Sequence, residues 1–492
     1  MEIYTDKDLE TFNSEIDNVI NDIMLVQSNV FEPPRDEIDK ITEIVHEFIT
    51  KYKRKIYGGY AVNFLLKHKN KNDAIYGDLQ IPDIDFYSPD PIVDLKILCN
   101  ILYSKGFRNI EGKEAQHKET YSIYVNRQNY VDITYVPKNI FHRMPFTEVQ
   151  KMNMTHPHFI LIDHYRMLTD PLASYWRIKK TVPRMYKLLH HYPLLKLNKP
   201  LPDLIKLWKP QTDKLKQILD SVGKFLYNKT SLIVIGLGAY NYLLNKSKLW
   251  KQDKKFTFIN VPYYEFISEK YKEDVQDLVN MLKKTYGDDK IKIVEHYPFF
   301  QFYGYNVKVY YEDMLLFWAC DNAQKCLSCQ EVTPISIENN KVTEISNNKI
   351  AIGSFALIMM MNLITTIYYR ASRDNSKMNL HQIITSHLLI MRNHYFKTQN
   401  MTLMDESIFQ EFVTTCIGPK INPPREAFEE REQKKINRKN KTKGSYSFCF
   451  VPNGINTDET SIHRFHNSSG NPVNKPRDLI FTKSSSLLQN SE

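Results

Sequence analysis

Three aspartates carry most of the chemistry this chain can offer. Asp83 and Asp85 stand two apart in "IPDIDFYSPD", and Asp132 lies in "NYVDITYV". Both stretches are rich in β-formers. On a strand, residues two apart share a face, so Asp83 and Asp85 stand side by side while Ile84 and Phe86 face away. Two carboxylates that close repel unless a cation lies between them, and Mg²⁺ is the hard, oxygen-seeking candidate. A third carboxylate from a neighbouring strand completes a site for two metals. One would lower the pKa of an attacking hydroxyl, and the other would steady a leaving pyrophosphate.

The elements that must position these acids are legible on either side. "KIYGGYAVNFLLKHK" sets Gly58 and Gly59 between a β-prone stretch and a helix start. Such a turn exposes backbone N–H groups at the positive end of the helix dipole, which suits a triphosphate. The order is then strand, GG turn, helix, a strand with two acids, and a strand with one. The strand candidates are "KIYGG", "PDIDFYS", "TYSIYVN" and "YVDITYV", with "DLKILCNILYSKGF" as an intervening helix. Before them, "DEIDKITEIVHEFITKY" places Ile38, Ile41, Ile44, Val45 and Phe48 on one helical face.

The second half repeats the pattern in damaged form. "IVIGLGAYNYLLNKSK" echoes the GG stretch, "NVPYYEFIS" stands against "QIPDIDFYS", and "YNVKVYY" against "NYVDITY". From the second glycine to the first acid position the spacing is 24 residues in one copy (59 to 83) and 25 in the other (238 to 263). The acid positions then read Tyr263, Glu265 and Lys308, and a lysine there repels a metal. An internal duplication with a pseudo-active site is expected.

The chain has 492 residues and a formal net charge of +10. That length suits two or three domains. The excess is modest, but its distribution is uneven. Trp176 to Lys216 holds eleven Lys or Arg against two Asp, and Arg431 to Lys443 holds seven against one Glu. Aromatic residues lie in or beside both. Cations for phosphates and rings for bases are what single-stranded RNA requires. In "DPLASYWRIKKTVPR", a helix would put Arg177, Lys180 and Arg184 on one face, with Lys179 alongside. The N-terminus shows no secretory signal. "AIGSFALIMMMNLITTIYY" contains Asn362, Thr365 and Thr366, and is expected to be a buried helix rather than a membrane span. Six cysteines in so long a chain make no disulfide framework, and Cys320, Cys326 and Cys329 are expected as buried or idle thiols.

Together, "YGGYAVNFLL", "PDIDFYS", "VDITYV" and "LTDPLASYWRIKKTVPR" resemble the DNA polymerase β-like nucleotidyltransferase superfamily. Within it, the chain looks like the poly(A) polymerases of poxviruses and other large DNA viruses. The resemblance implies an α+β fold, with a catalytic nucleotidyltransferase domain and a second, degenerate one. It implies template-independent addition of AMP from ATP to an RNA 3′ end, with Mg²⁺ or Mn²⁺. Asp83, Asp85 and Asp132 match the metal-binding acids, and Gly58 and Gly59 the phosphate turn. Where cellular relatives often carry Ser after the first glycine, Gly59 offers only backbone. The region of Arg177, Lys179, Lys180 and Arg184 would face the β- and γ-phosphates of the nucleotide. The expected layout is a helical segment over 1–50, the catalytic domain over 51–190, the degenerate domain over 191–420, and a basic, largely flexible tail over 421–492. Expected partners are RNA and ATP, with no membrane, and either a second copy of the chain or a separate processivity subunit. An intracellular setting follows, in host cytoplasm, viral factory or virion if the viral resemblance holds. Other acceptors (uridylyl or CCA addition, a small molecule) and a non-catalytic RNA scaffold are the competing readings.

Overall fold

The β-prone runs that flank the aspartates all enter one sheet. Its strands are β1 (Lys55–Ile56), β2 (Ile84–Ser88), β3 (Ile110–Glu114), β4 (Thr120–Val125), β5 (Gln128–Tyr135), β6 (Phe146–Val149) and β7 (Met152–Thr155). They lie in the order β3-β4-β5-β2-β1-β7-β6, with Cys449–Phe450 added outside β3. β2 and β5 are parallel, and their register sets Asp85 directly opposite Asp132. This is a computed structural model, and it describes residues 5–31, 35–77, 82–115, 119–202, 204–208, 212–296, 304–338, 341–345, 348–419, 429, 448–454 and 482–483.

Helices fix that sheet in place. The N-terminal segment forms α1 (Asp6–Phe31) and α2 (Arg35–Tyr52). α2 is built into the core through Ile38, Ile41, Ile44, Val45, Phe48 and Ile49. α3 (Gly58–Lys69) follows β1, and α4 (Pro91–Ser104) crosses over from β2 with Pro91 in its first turn. Pro suits that position because the first N–H groups of a helix have no partner within it. Just after α2, Arg54 grips Asp94 of α4 with two bonds, 2.6 and 2.7 Å, locking helix to helix.

A second sheet has the same wiring. Its strands are β8 (Leu232–Ile235), β9 (Tyr264–Ser268), β10 (Ile291–His296), β11 (Asn306–Tyr311), β12 (Met314–Asp321), β13 (Leu327–Val332) and β14 (Ile350–Gly353). The order is β10-β11-β12-β9-β8-β14-β13, with Cys416–Ile417 outside β13 and Thr482–Lys483 outside β10. β8 and β9 are antiparallel as β1 and β2 are, and β9 and β12 parallel as β2 and β5 are.

The two sheets share one core. α5 (Pro157–Thr169) leads to α6 (Ile178–His191), and α7 (Asp213–Tyr227) and α8 (Gly236–Ser247) flank β8. After α9 (Tyr271–Tyr286) and the remaining strands come α10 (Phe355–Ala371) and α11 (Asn375–Gln399). α10 packs on both α5 and α11. A single apolar cluster runs from Ile56, Phe86 and Leu161 to Leu243, Met360 and Leu388. The apolar run is thus a core helix, and among the described residues no helix is long and apolar enough to cross a membrane. Its Asn362 is satisfied inside, donating to the His381 carbonyl (2.9 Å) and to Thr385 Oγ1 (2.7 Å) of α11.

One of the three expected idle cysteines differs from expectation. Cys326 is bonded to Cys416, 90 residues away, while Cys320 and Cys329 are buried free thiols. Cys416 carries no motif, so nothing local in the sequence marks it as a partner. The tail also departs from its composition. Phe448 is buried and Cys449–Phe450 pairs with β3, so this part of 421–492 packs on the body. The basic run from Arg431 to Lys443 lies outside the described residues.

Candidate active site

The site is assembled at the start of β2. Gly58 has φ +68°, a left-handed conformation, where β1 gives way to α3. A Cβ there would sit 2.1 Å from Asp85 Oδ2. The glycine is therefore required twice, by its backbone and by the carboxylate against it. Asp83, Asp85 and Asp132 converge, each offering a carboxylate oxygen within 4.8 Å of the others. Asp83 is exposed and the other two are half-buried.

Electrostatics makes the cluster ask for a cation. Burial, and then the charges of Asp83 and Asp132, push Asp85 well above the usual carboxylate range. Burial also raises Asp132, against bonds from Ser122 and Asn129 that lower it. Those donors reach Asp132 Oδ1 at 2.5 Å and 3.1 Å. A cluster of three oxygen-donor carboxylates, with burial and mutual repulsion unrelieved by protein cations of matching number, fits a hard divalent ion. Arg177 is the cation whose charge reaches Asp85.

The second glycine faces the basic helix. A Cβ on Gly59 would meet the Tyr76 hydroxyl at 2.0 Å and Arg184 Nη1 at 3.3 Å. Arg184 lies over the Tyr76 ring, 5.1 Å from its centroid. α6 is pinned beside α3 by His191, which bonds Asp73 at 2.7 Å, and by Tyr192, whose hydroxyl donates to the Leu65 carbonyl at 3.0 Å. So Gly58, Gly59, Asp83, Asp85, Asp132, Arg177 and Arg184 are brought together. Lys179 and Lys180 are exposed on the same helix.

Several residues around the site escape a sequence reading. Ser122 sits on β4, one strand away, and only the β4–β5 register pairs it with Asp132. Tyr57 stacks on Tyr87 at 4.0 Å and bonds Thr134 at 2.6 Å, forming a floor beneath the acids. Asp163 of α5 adds a further negative charge felt by Asp85, and is paired with Arg166 at 3.2 Å. Asn129, three residues before Asp132, would face away on a regular strand, and it reaches the carboxylate where the β4–β5 register shifts.

The second sheet carries other residues at the topologically matching positions. Gly236 has φ +63° and starts α8, so it corresponds to Gly58; its Cβ would meet Glu265 Oε2 at 1.8 Å. Glu265 pairs with Trp318, as Asp85 pairs with Asp132. Trp318 thus stands at the third acid position, and Lys308, opposite it on β11, stands where Ser122 does. This corrects the sequence alignment by one strand. Apolar β-runs look alike, so only hydrogen-bond register distinguishes neighbours. Lys308 lies 4.0 Å from the Trp318 centroid and bonds the Tyr368 hydroxyl at 2.8 Å. Burial lowers the Lys308 pKa and raises that of Glu265. Lys308→Ala should cost about 3 kcal/mol of stability, because it removes a buried side chain packed against Trp318 and Tyr368 together with its bond to the Tyr368 hydroxyl. Any activity per folded molecule should stay within about twofold, since the aspartate cluster lies in the other sheet. Urea denaturation with a parallel rate measurement checks both, and a large rate loss in folded protein would assign the second sheet a direct role.

Comparison with known proteins gives consistent matches. A family model described as "Poly(A) polymerase catalytic subunit" matches residues 43–174. One described as "APMV, Putative poly(A) polymerase, catalytic subunit, C-terminal" matches residues 187–483. A putative poly(A) polymerase catalytic subunit of Acanthamoeba polyphaga mimivirus is 33% identical, over 97% of this chain and 84% of its own length. The protein of the same description from African swine fever virus (strain Badajoz 1971 Vero-adapted) is 31% identical over 32% of this chain and 34% of its own. The crystal structure of the Megavirus polyadenylate synthase superposes with a TM-score of 0.80 at 32% identity, covering 97% of this chain and 94% of that one.

Proposed function

We propose, from the premise that the chain belongs to the poly(A) polymerase catalytic subunit family, that Asp83, Asp85 and Asp132 carry its reaction. The activity is polynucleotide adenylyl transfer, adding AMP from ATP to the 3′ end of RNA. The observation that supports this site is the convergence of three carboxylates within 4.8 Å beside the Gly58–Gly59 turn. Poly(A) polymerases need a divalent metal, and the aspartate cluster suits one. Mg²⁺ or Mn²⁺ held there would supply activation of the RNA 3′-hydroxyl and charge neutralisation on the leaving pyrophosphate.

The chain's own groups do the positioning. Ser122 and Asn129 both bond Asp132 Oδ1, which holds the carboxylate and leaves Oδ2 for a cation. In this reading the turn N–H groups and the N-terminus of α3 receive the triphosphate. Arg184, beside Gly59, supplies the contact that a serine hydroxyl would otherwise make, and Arg177 completes the clamp. Lys180 is three residues from Arg177 and four from Arg184, so it shares their side of α6. Lys179 is two from Arg177 and turns away.

The second sheet is read as a degenerate nucleotidyltransferase copy that takes no metal. The relatives carry the name catalytic subunit, which points to a companion; a second copy of the chain or a separate processivity subunit fills that place. With viral relatives, the setting proposed is host cytoplasm, viral factory or virion.

Supplying each NTP singly with an oligo-RNA primer and Mg²⁺ or Mn²⁺ tests the reading. ATP should extend the primer at least about tenfold more efficiently than CTP, GTP or UTP, a margin of about 1.4 kcal/mol. Equal use of UTP, or no extension with any nucleotide, would overturn it.

A further inference from the structure

From Pro171 to Pro202 there is no Asp or Glu, but there are seven Lys or Arg: Arg177, Lys179, Lys180, Arg184, Lys187, Lys196 and Lys199. Within this acid-free stretch, three large rings face water. Tyr175 is 67% exposed, Trp176 48% and Tyr186 74%. The fold does not use them. α6 buries Met185 and Leu188 on its inner face. Trp176 stands just before α6, and Lys179 and Tyr186, seven apart, fall on its outer face, with Lys180 between that face and the Arg177–Arg184 flank. Tyr175 and Trp176 meet edge to face, 5.4 Å between centroids at 88°, and so hold one another in place.

This outer face begins where the site ends. Arg177 and Arg184 lie on the flank of α6 that meets Asp85 and Gly59. Cations alone suit any polyanion. Exposed rings at the same positions suit a polyanion that also offers flat faces, which unpaired bases do and a duplex does not.

We propose that Tyr175, Trp176 and Tyr186 form a platform on which bases of the RNA strand upstream of its growing 3′ end stack, with Lys179 and Lys180 following the phosphates. The proposal rests on the reading of the aspartates as the AMP-transfer site. It assigns the rings to RNA and not to ATP, so they should alter primer binding without altering nucleotide use.

Binding is measured on full-length Asp83→Asn protein, which should not extend the strand, with two labelled probes: a short oligo(A) RNA and an abasic oligonucleotide of equal length. Trp176→Ala with Tyr186→Ala should weaken oligo(A) about tenfold or more and the abasic strand less than about twofold. Trp176→Phe with Tyr186→Phe should restore most of the affinity, since a phenyl ring still stacks. In otherwise wild-type protein, the alanine pair should raise primer KM and leave ATP KM within about twofold. Lys179→Ala and Lys180→Ala should weaken both probes, each flattening the salt slope by about 0.7. Unchanged oligo(A) affinity in the alanine pair would overturn the platform, as would an equal loss for the abasic strand. A folded alanine pair that still binds oligo(A) but fails to bind an acidic peptide from a companion protein would move these rings to a protein interface instead. If Asp83→Asn leaves extension intact, the underlying site fails, whatever the platform does.

Discussion

Asp83→Asn or Asp85→Asn should lower AMP addition by about a thousandfold or more while leaving the protein folded. The amide keeps the shape and removes the charge that holds a divalent ion, an interaction of several kcal/mol in the transition state, where each 1.4 kcal/mol is tenfold. A mere structural lesion would behave differently, and stability separates the two. Asp85 has its pKa raised in the folded protein by burial and by Asp83 and Asp132. The folded form therefore binds the proton more tightly than the unfolded form does. Without metal, this group's contribution is most favourable below the ordinary aspartate value and is lost as pH rises towards and through the raised value. Asp85→Asn removes that loss, so metal-free protein at neutral pH should melt at the same temperature or higher. Activity has the opposite dependence, because the ionised carboxylate is the working form. Primer extension and thermal melting in EDTA supply both readouts. Extension within tenfold of wild type would end the assignment.

Gly58→Ala should be nearly as damaging to activity, by about a hundredfold, and should also cost about 1–2 kcal/mol for a left-handed alanine. The new methyl would sit 2.1 Å from Asp85 Oδ2, so the carboxylate must move. Gly236→Ala is its internal control. A Cβ there would meet Glu265 at 1.8 Å with φ +63°, a comparable strain in the other sheet. Its expected result is lost stability with an unchanged rate per folded molecule. Chemical denaturation and single-turnover rates on both variants make the comparison. If Gly236→Ala slowed turnover as much as Gly58→Ala, the damage would be general to the fold.

The acids, the turn and the repeat were legible because each is a local pattern. A strand puts alternate residues on one face, so "DID" announces a carboxylate pair without knowledge of its neighbours. What lay between strands was not legible. Ser122 and Trp318 acquire their places only through register, and one β-rich run resembles another. That is why Lys308 was set at an acid position that Trp318 occupies. The Cys326–Cys416 bond was missed for a similar reason, since a partner 90 residues away leaves no trace in spacing. The Lys- and Asn-rich composition of the tail gave no sign of the apolar anchor at Phe448.

The common core has a consequence for motion. Ile56 and Phe86 beneath the catalytic strands belong to the same cluster as Leu243, Met360 and Leu388 of the second half. α10 is wedged between α5 and α11. Swinging the halves apart would uncover that cluster to water, at about 25 cal/mol for each Å² exposed. An enzyme whose domains meet at a thin, polar seam can open and shut like a jaw at each cycle. This one is closer to an anvil. On the proposed site, movement of side chains such as Tyr76, Arg177 and Arg184, on nanoseconds, would admit nucleotide and release pyrophosphate, rather than domain swings that take micro- to milliseconds. Its turnover should accordingly be insensitive to solvent viscosity, beyond the part set by diffusion of substrate and product.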